Sequence, residues 1–228
     1  MDLLMSEQLP FTFDDVENDE FSFIMGAENE LAIKWLKNWP NWPSNGGFLN
    51  IFGPGACGKS RLGRIHQKRT GAQLLTGLRD WHPDKITNQH IILDEIELSD
   101  NWSEEALFFL YQTAVGNSGT ILFLSTKPIS SLQWKLADLR SRFRSIVFQE
   151  ILPLSETLVR PLLEHHFTQR QCAVTQTVLN YIELRVLREY SYIQQLVIQL
   201  DKASLKQKQP ITIALVKRVF EEFSGESI

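Results

Sequence analysis

The stretch GPGACGKS, Gly53–Ser60, limits what this chain can fold into more than any other. It fits the spacing G-x-x-x-x-G-K-[ST] in full. Such a loop works when a buried strand enters it and a helix leaves it, because the helix aims the positive end of its dipole at a bound anion. Both flanks comply: FLNIF is a short apolar run of strand type, and RLGRIHQKRT reads as a helix. Gly53 and Gly58 let the backbone turn its N–H groups inward around phosphate oxygens, and Gly55 belongs to the same cradle. Lys59 is placed to reach the β and γ phosphates, and Ser60 to offer a hydroxyl to Mg2+. Arg61, Arg64 and Lys68 make a basic helix face that reads as solvated, with Arg61 near enough to the loop to count among the nucleotide-binding residues. Cys57 reads as a small residue filling a variable position rather than a thiol activated by the helix N-terminus.

Beyond the loop the pattern alternates. Strands are expected at 72–76, 90–96, 120–126 and 146–151, and helices at 103–115 and 130–143. That order implies an α/β fold with a parallel sheet covered on both faces. From Leu154 onward the spacing is helical only. Leu158, Leu162 and Leu163 share one face, and Ile193, Leu196, Val197 and Leu200 make an i, i+3, i+4, i+7 stripe. The expected division is a flexible acidic leader over 1–20, an α/β nucleotide-binding core over 21–152 and a helical lid over 153–228. A turn-rich break at 38–47 precedes the loop strand, and Trp35, Trp39 and Trp42 are expected to pack around it.

Three more groups bear on chemistry. Asp94 and Glu95 close the apolar run HIILDEI. An aspartate at a strand tip beside a phosphate loop can hold Mg2+, and the glutamate next to it can orient an attacking water. Ser125 and Thr126 end the next strand, where a polar side chain either touches a γ-phosphate or makes an ordinary turn. Arg140, Arg142 and Arg144 follow a helix on the far side of the core, and a guanidinium fork there suits phosphoryl charge across a subunit contact. His165 and His166 are sequence neighbours in a helix and cannot share a face, so no metal site is expected of them.

Composition narrows the setting. The 228 residues carry a formal net charge of −4, so nucleic acid would be contacted only locally, weakly or indirectly. Two cysteines without a C-x-x-C pair argue against a disulfide framework and fit a reducing, cytoplasmic location. No apolar run approaches a membrane span, and the first ten residues lack a basic region of signal-peptide type.

Taken together, the motifs resemble the AAA+ ATPases of the DnaA group, and within them the Hda type, over nearly everything from Phe21 onward. FSFIMGAENELA is similar to the adenine-side segment of that family, which carries nucleotide contacts over to Ile24, Gly26 and Asn29. GPGACGKSRL matches Walker A, IILDEIE matches Walker B, and Thr126 falls at sensor one. DLRSRF resembles the box that holds the arginine finger, at Arg142. QLDKASLKQKQPITIALVKRVF resembles the closing lid segment. Two departures stand out: the sequence runs out at Ile228 with no room for the initiators' helix-turn-helix domain, and Ser191 occupies the sensor-two arginine position. Loss of that cation implies weak intrinsic hydrolysis.

The resemblance also gives QLPFTF a purpose. Hda-type proteins carry a leader peptide for the sliding clamp, the β subunit of DNA polymerase III, and Gln8, Leu9, Phe11 and Phe13 match it. The implied function is regulatory inactivation of DnaA: the chain docks on the clamp, holds ATP or ADP with Mg2+, and stimulates hydrolysis of DnaA-bound ATP, with homo-oligomers as a further expectation. The alternatives are a self-sufficient AAA+ ATPase such as a helicase loader, or a fragment of a DnaA-like initiator.

Overall fold

The computed structural model describes residues 10–11, 23–43, 47–77, 88–97 and 102–225, with the side chains of 10–11 and 224–225 left aside. Compact packing divides the chain into one unit over Phe11–Leu152 and a second built on Pro153–Ile228.

In the first unit, β1 (Pro10–Phe11) pairs with β2 (Phe23–Ile24), and α1 (Glu30–Lys37) follows. Five strands then form one parallel sheet: β3 (Phe48–Phe52), β4 (Gln73–Leu75), β5 (His90–Leu93), β6 (Thr120–Ser125) and β7 (Val147–Glu150), in the order β4-β5-β6-β3-β7. The helices α2 (Lys59–Thr70), α3 (Glu104–Gly116) and α4 (Ala137–Phe143) lie between them in sequence. Because parallel strands need crossovers, both sheet faces are covered, and every residue of β6 is buried. Phe48, Ile91, Leu93, Ile121 and Phe123 point to the face of α3 and α4, where Tyr111 and Phe143 complete the core. On the other face α2 sits close to the sheet. A Cβ on Gly63 would come within 2.6 Å of Leu124 Cδ1, so a side chain there would force Leu124 to another rotamer or the helix outward.

The expected helix over 130–143 is broken. A short 3-10 turn spans Ile129–Ser131, and α4 starts only at Ala137. The chain between is held extended by its neighbours: Trp134 Nε1 donates to Ile129 O at 2.7 Å, and the Glu104 carboxylate accepts the N–H groups of Lys135 and Leu136 at 2.8 and 2.6 Å. The strand expected over 90–96 stops at Leu93, because Glu95 turns into the left-handed region at φ 56°.

The second unit holds α5 (Glu156–Gln169), α6 (Gln176–Glu183), α7 (Tyr190–Gln207) and α8 (Ile213–Gly225). The α7 stripe of Ile193, Leu196, Val197 and Leu200 is fully buried. Arg160 ties α5 to α6 by reaching Gln176 Oε1, Asn180 Oδ1 and Glu183 Oε2 at 2.6, 2.8 and 3.0 Å.

Candidate functional site

Parallel strands put all their C-terminal ends on one edge. Gly53 follows β3, Thr126 follows β6 and Asp94 follows β5 there, with β6 between β3 and β5. Strand spacing sets the first and last about 10 Å apart.

The loop between β3 and α2 owes its shape to close neighbours. Gly53 N donates to Ser125 O at 3.2 Å, and a Cβ on Gly53 would lie 2.3 Å from Ile151 O. Gly58 caps α2 in the left-handed region at φ 96°, a conformation glycine adopts without steric cost. Gly55 meets nothing within 4 Å of where its Cβ would be, so its freedom is not required by packing. Lys59 folds along the loop, its Nζ donating to Gly53 O at 2.8 Å and Pro54 O at 2.7 Å. Ser60 and Arg61 follow it in the first turn of α2. Cys57 is buried, and burial pushes its thiol up against the lowering pull of Lys59, which leaves it an inert filler.

Asp94 is 6% exposed. Its Oδ1 accepts Glu95 N–H at 3.0 Å, and its carbonyl accepts Trp102 Nε1–H at 3.3 Å. Glu95 projects outward, exposed, at its left-handed position. Ser125 and Thr126 take different parts. Ser125 is buried and donates to Lys127 O at 2.6 Å, while Thr126 is exposed and gives its backbone N–H to the Glu97 carboxylate.

What organises this edge is Asn50, which sequence reasoning missed. It is fully buried in the middle of β3. Its Nδ2 donates to Phe123 O at 3.2 Å and Ser125 Oγ at 2.9 Å, and its Oδ1 accepts Ile129 N–H at 3.0 Å. One carboxamide thus fixes the turn after β6 on which Thr126 sits. The signal was present, since a lone amide inside FLNIF has no place in a buried strand unless it is bonded.

On the other flank, Asn29 closes the segment before α1. It accepts Gly26 N–H at 3.0 Å and donates to Ile24 O at 3.0 Å, while being 1% exposed. Leu152 N donates to Glu28 O at 3.1 Å, which hangs that segment on the end of β7. Ile24, Gly26 and Asn29 therefore form one rigid turn beside the phosphate loop's own edge.

Arg142 lies on α4 with its guanidinium 5.1 Å from the Tyr111 ring centroid and 5.7 Å from that of Phe108. It is half-buried, and no carboxylate pairs with it among the described residues. Arg140 and Arg144 are exposed. In the lid, Ser191 is exposed near the start of α7, and Arg188 is engaged by Glu156 at 3.0 Å. Gln8, Leu9 and Phe13 lie outside the described residues, and Phe11 is described only as backbone of β1.

Comparison with known proteins places this geometry. Residues 157–220 match the model of the Hda lid domain. That segment is therefore similar to an Hda-type lid, and the chain as a whole is similar to DnaA-related AAA+ proteins. A Haemophilus influenzae protein is 25% identical over 94% of this chain and 99% of its own length. The chromosomal replication initiator DnaA of Campylobacter jejuni is 23% identical over 95% of this chain but 53% of the initiator, so the chain spans about half the length of such relatives. Among solved structures, domain III of the Thermotoga maritima DnaA superposes with a TM-score of 0.70 at 15% identity, covering 90% of this chain and 96% of that one. AMPPCP-bound DnaA from Aquifex aeolicus gives 0.62 at 17% identity, over 80% of this chain and 64% of that one. The fold is thus an α/β AAA+ core with a parallel sheet and a C-terminal helical lid. No described helix is long and apolar enough to cross a membrane.

Proposed function

We propose that this Hda-type chain is a negative regulator of replication initiation that completes the ATPase site of a DnaA initiator in trans. The observation that carries this reading is Arg142. Its guanidinium is steadied by two rings, unpaired with any described carboxylate, in the position the family's finger motif occupies. A cation held over aromatic faces keeps its fork of donors for another charge.

In this reading the chain binds an adenine nucleotide as a ligand more than as fuel. Gly53, Gly55, Gly58, Lys59 and Arg61 surround the phosphates, and the turn of Ile24, Gly26 and Asn29 takes the base side. Ser60 and Asp94 supply the oxygen donors that Mg2+ requires. Glu95 would orient water and Thr126 the γ-phosphate, yet Ser191 leaves the lid without its cation there, and Arg188 is committed to Glu156. Gln8, Leu9, Phe11 and Phe13 dock the leader on the sliding clamp, within the cytoplasm.

Single-turnover hydrolysis of labelled ATP preloaded on DnaA, with clamp and DNA present, tests this. Arg142→Ala is expected to abolish a stimulation of about 10³ to 10⁵ in rate, and Arg142→Lys nearly as much. Arg140→Ala should matter little. Nucleotide and clamp binding should survive Arg142→Ala, whereas Lys59→Ala should lose the nucleotide and Gln8→Ala the clamp. An Arg142→Ala protein as active as the parent sinks the trans mechanism. The rival, a self-sufficient ATPase, is favoured by Asp94 and Glu95 at the β5 tip; turnover of the isolated chain at about 10 per second, the ordinary enzyme range, would establish it.

A further inference from the structure

The last two lid helices enclose a cleft of about 400 Å3, lined by Gln199, Lys202, Lys206 and Gln207 of α7 and by Arg218 and Glu222 of α8. Its cations stand apart from the lid's other arginines. Arg160, Arg170 and Arg188 each pair with a carboxylate, and Arg185 stacks on Tyr181. Lys202, Lys206 and Arg218 are exposed and enter no ion pair among the described residues. In a chain of net charge −4, three such cations converging on one cleft concentrate positive potential locally. Glu222 offsets only part of it.

We propose that this cleft binds the phosphate backbone of DNA, independently of the reading given for Arg142. Lys202 and Lys206 are one helical turn apart, about 6 Å along the axis, and so present a row of point charges to successive groups of one strand. Gln199 and Gln207 add uncharged donors of the kind that position a backbone. The remaining lining residues, Ala203 and Val219, are small and aliphatic. Without an aromatic platform the cleft cannot stack bases, so contact is with phosphates and is not sequence-reading. Nor does it provide the large apolar anchors, poor in lysine, on which protein interfaces depend.

Fluorescence anisotropy of the full chain with a short labelled duplex tests this, titrated between about 50 and 200 mM NaCl. The parent should bind, with log K falling against log salt. The triple variant Lys202→Gln, Lys206→Gln, Arg218→Gln should bind at least about tenfold more weakly at the low-salt end and lose about 2 to 3 from the slope. Glu222→Gln should tighten binding, a gain that no folding defect can imitate. Far-UV circular dichroism and adenine-nucleotide binding should be unchanged in all variants. A parent that fails to bind at low salt, a triple variant with the parent's slope, or an unaltered affinity in Glu222→Gln overturns the proposal. Displacement by polyglutamate as readily as by unlabelled duplex would overturn it too, and would reassign the cleft to an acidic protein surface.

Discussion

Two glycines in one loop obey different rules. Gly53 is squeezed between its own strand and the end of β7, with only 2.3 Å available before Ile151 O, a backbone atom that cannot step aside. Gly53→Ala is expected to cost about 3 kcal/mol by overpacking, measured by urea unfolding. Gly55 faces open space, so Gly55→Ala should stay within about 0.5 kcal/mol in the same measurement. The motif fixes a glycine at the first position and leaves the second open, and the fold supplies the steric reason. Asn50 makes the complementary point. A polar side chain in an apolar run is visible in sequence, but the partner that justifies it, the Ile129 amide, lies 79 residues away and becomes apparent only in three dimensions.

At the scale of the element, α4 starts without a side-chain cap of its own, since Leu136 occupies the N-cap. Glu104, from the first turn of α3, serves instead by accepting the Lys135 and Leu136 amides. Glu104→Ala should destabilise the protein by about 1 to 2 kcal/mol and raise amide exchange at 134–138, while Glu104→Gln, which keeps one acceptor, should fall between. This borrowed cap explains what periodicity could not deliver. SSLQWKLADLRSRF has helical spacing throughout, yet a local bond from Trp134 to Ile129 O and tertiary bonds from Lys135 and Leu136 to Glu104 keep the residues between the 3-10 turn and Ala137 out of the helix. Where local spacing and burial agreed, as in the α7 stripe and the fully buried β6, sequence and structure coincide. The placement of the loop between β3 and α2, and of Asp94 and Glu95 just after β5, was legible because strand, loop and helix follow one another at short spacing. The aromatic support of Arg142 was not, because Phe108 and Tyr111 read simply as one more pair of core positions on α3.

At the scale of the molecule, the edge of the sheet opposite the candidate site carries a different kind of order. His66 is 1% exposed, stacked on Trp42 at 5.6 Å and met edge-on by Trp39, which also contacts His90. Burial, with Arg69 and His90 adding repulsion, lowers the His66 pKa to about 3 from 6.5. Between those values the unfolded chain takes up a proton that the folded chain refuses, so stability rises with pH and is lost progressively as pH falls below about 6.5, by about 1.4 kcal/mol per unit. His90, also lowered by burial, acts in the same direction. Going from about pH 7 to about pH 5.5, the parent should lose about 1 kcal/mol more than His66→Leu, read from paired urea titrations.

The strand order has a consequence in time. Of the five sheet strands β3 leaves the ribosome first, but its two partners, β6 and β7, leave last. The nascent chain therefore carries an apolar strand with both edges unsatisfied while β4, α3 and everything between them are being made, and long-range pairing of this kind is slow and exposed to misassociation. The phosphate loop inherits the delay, because Gly53 takes its backbone partner from Ser125 and its steric wall from Ile151. The loop between β3 and α2 is made early, yet the walls that shape it are the last of the core to be translated.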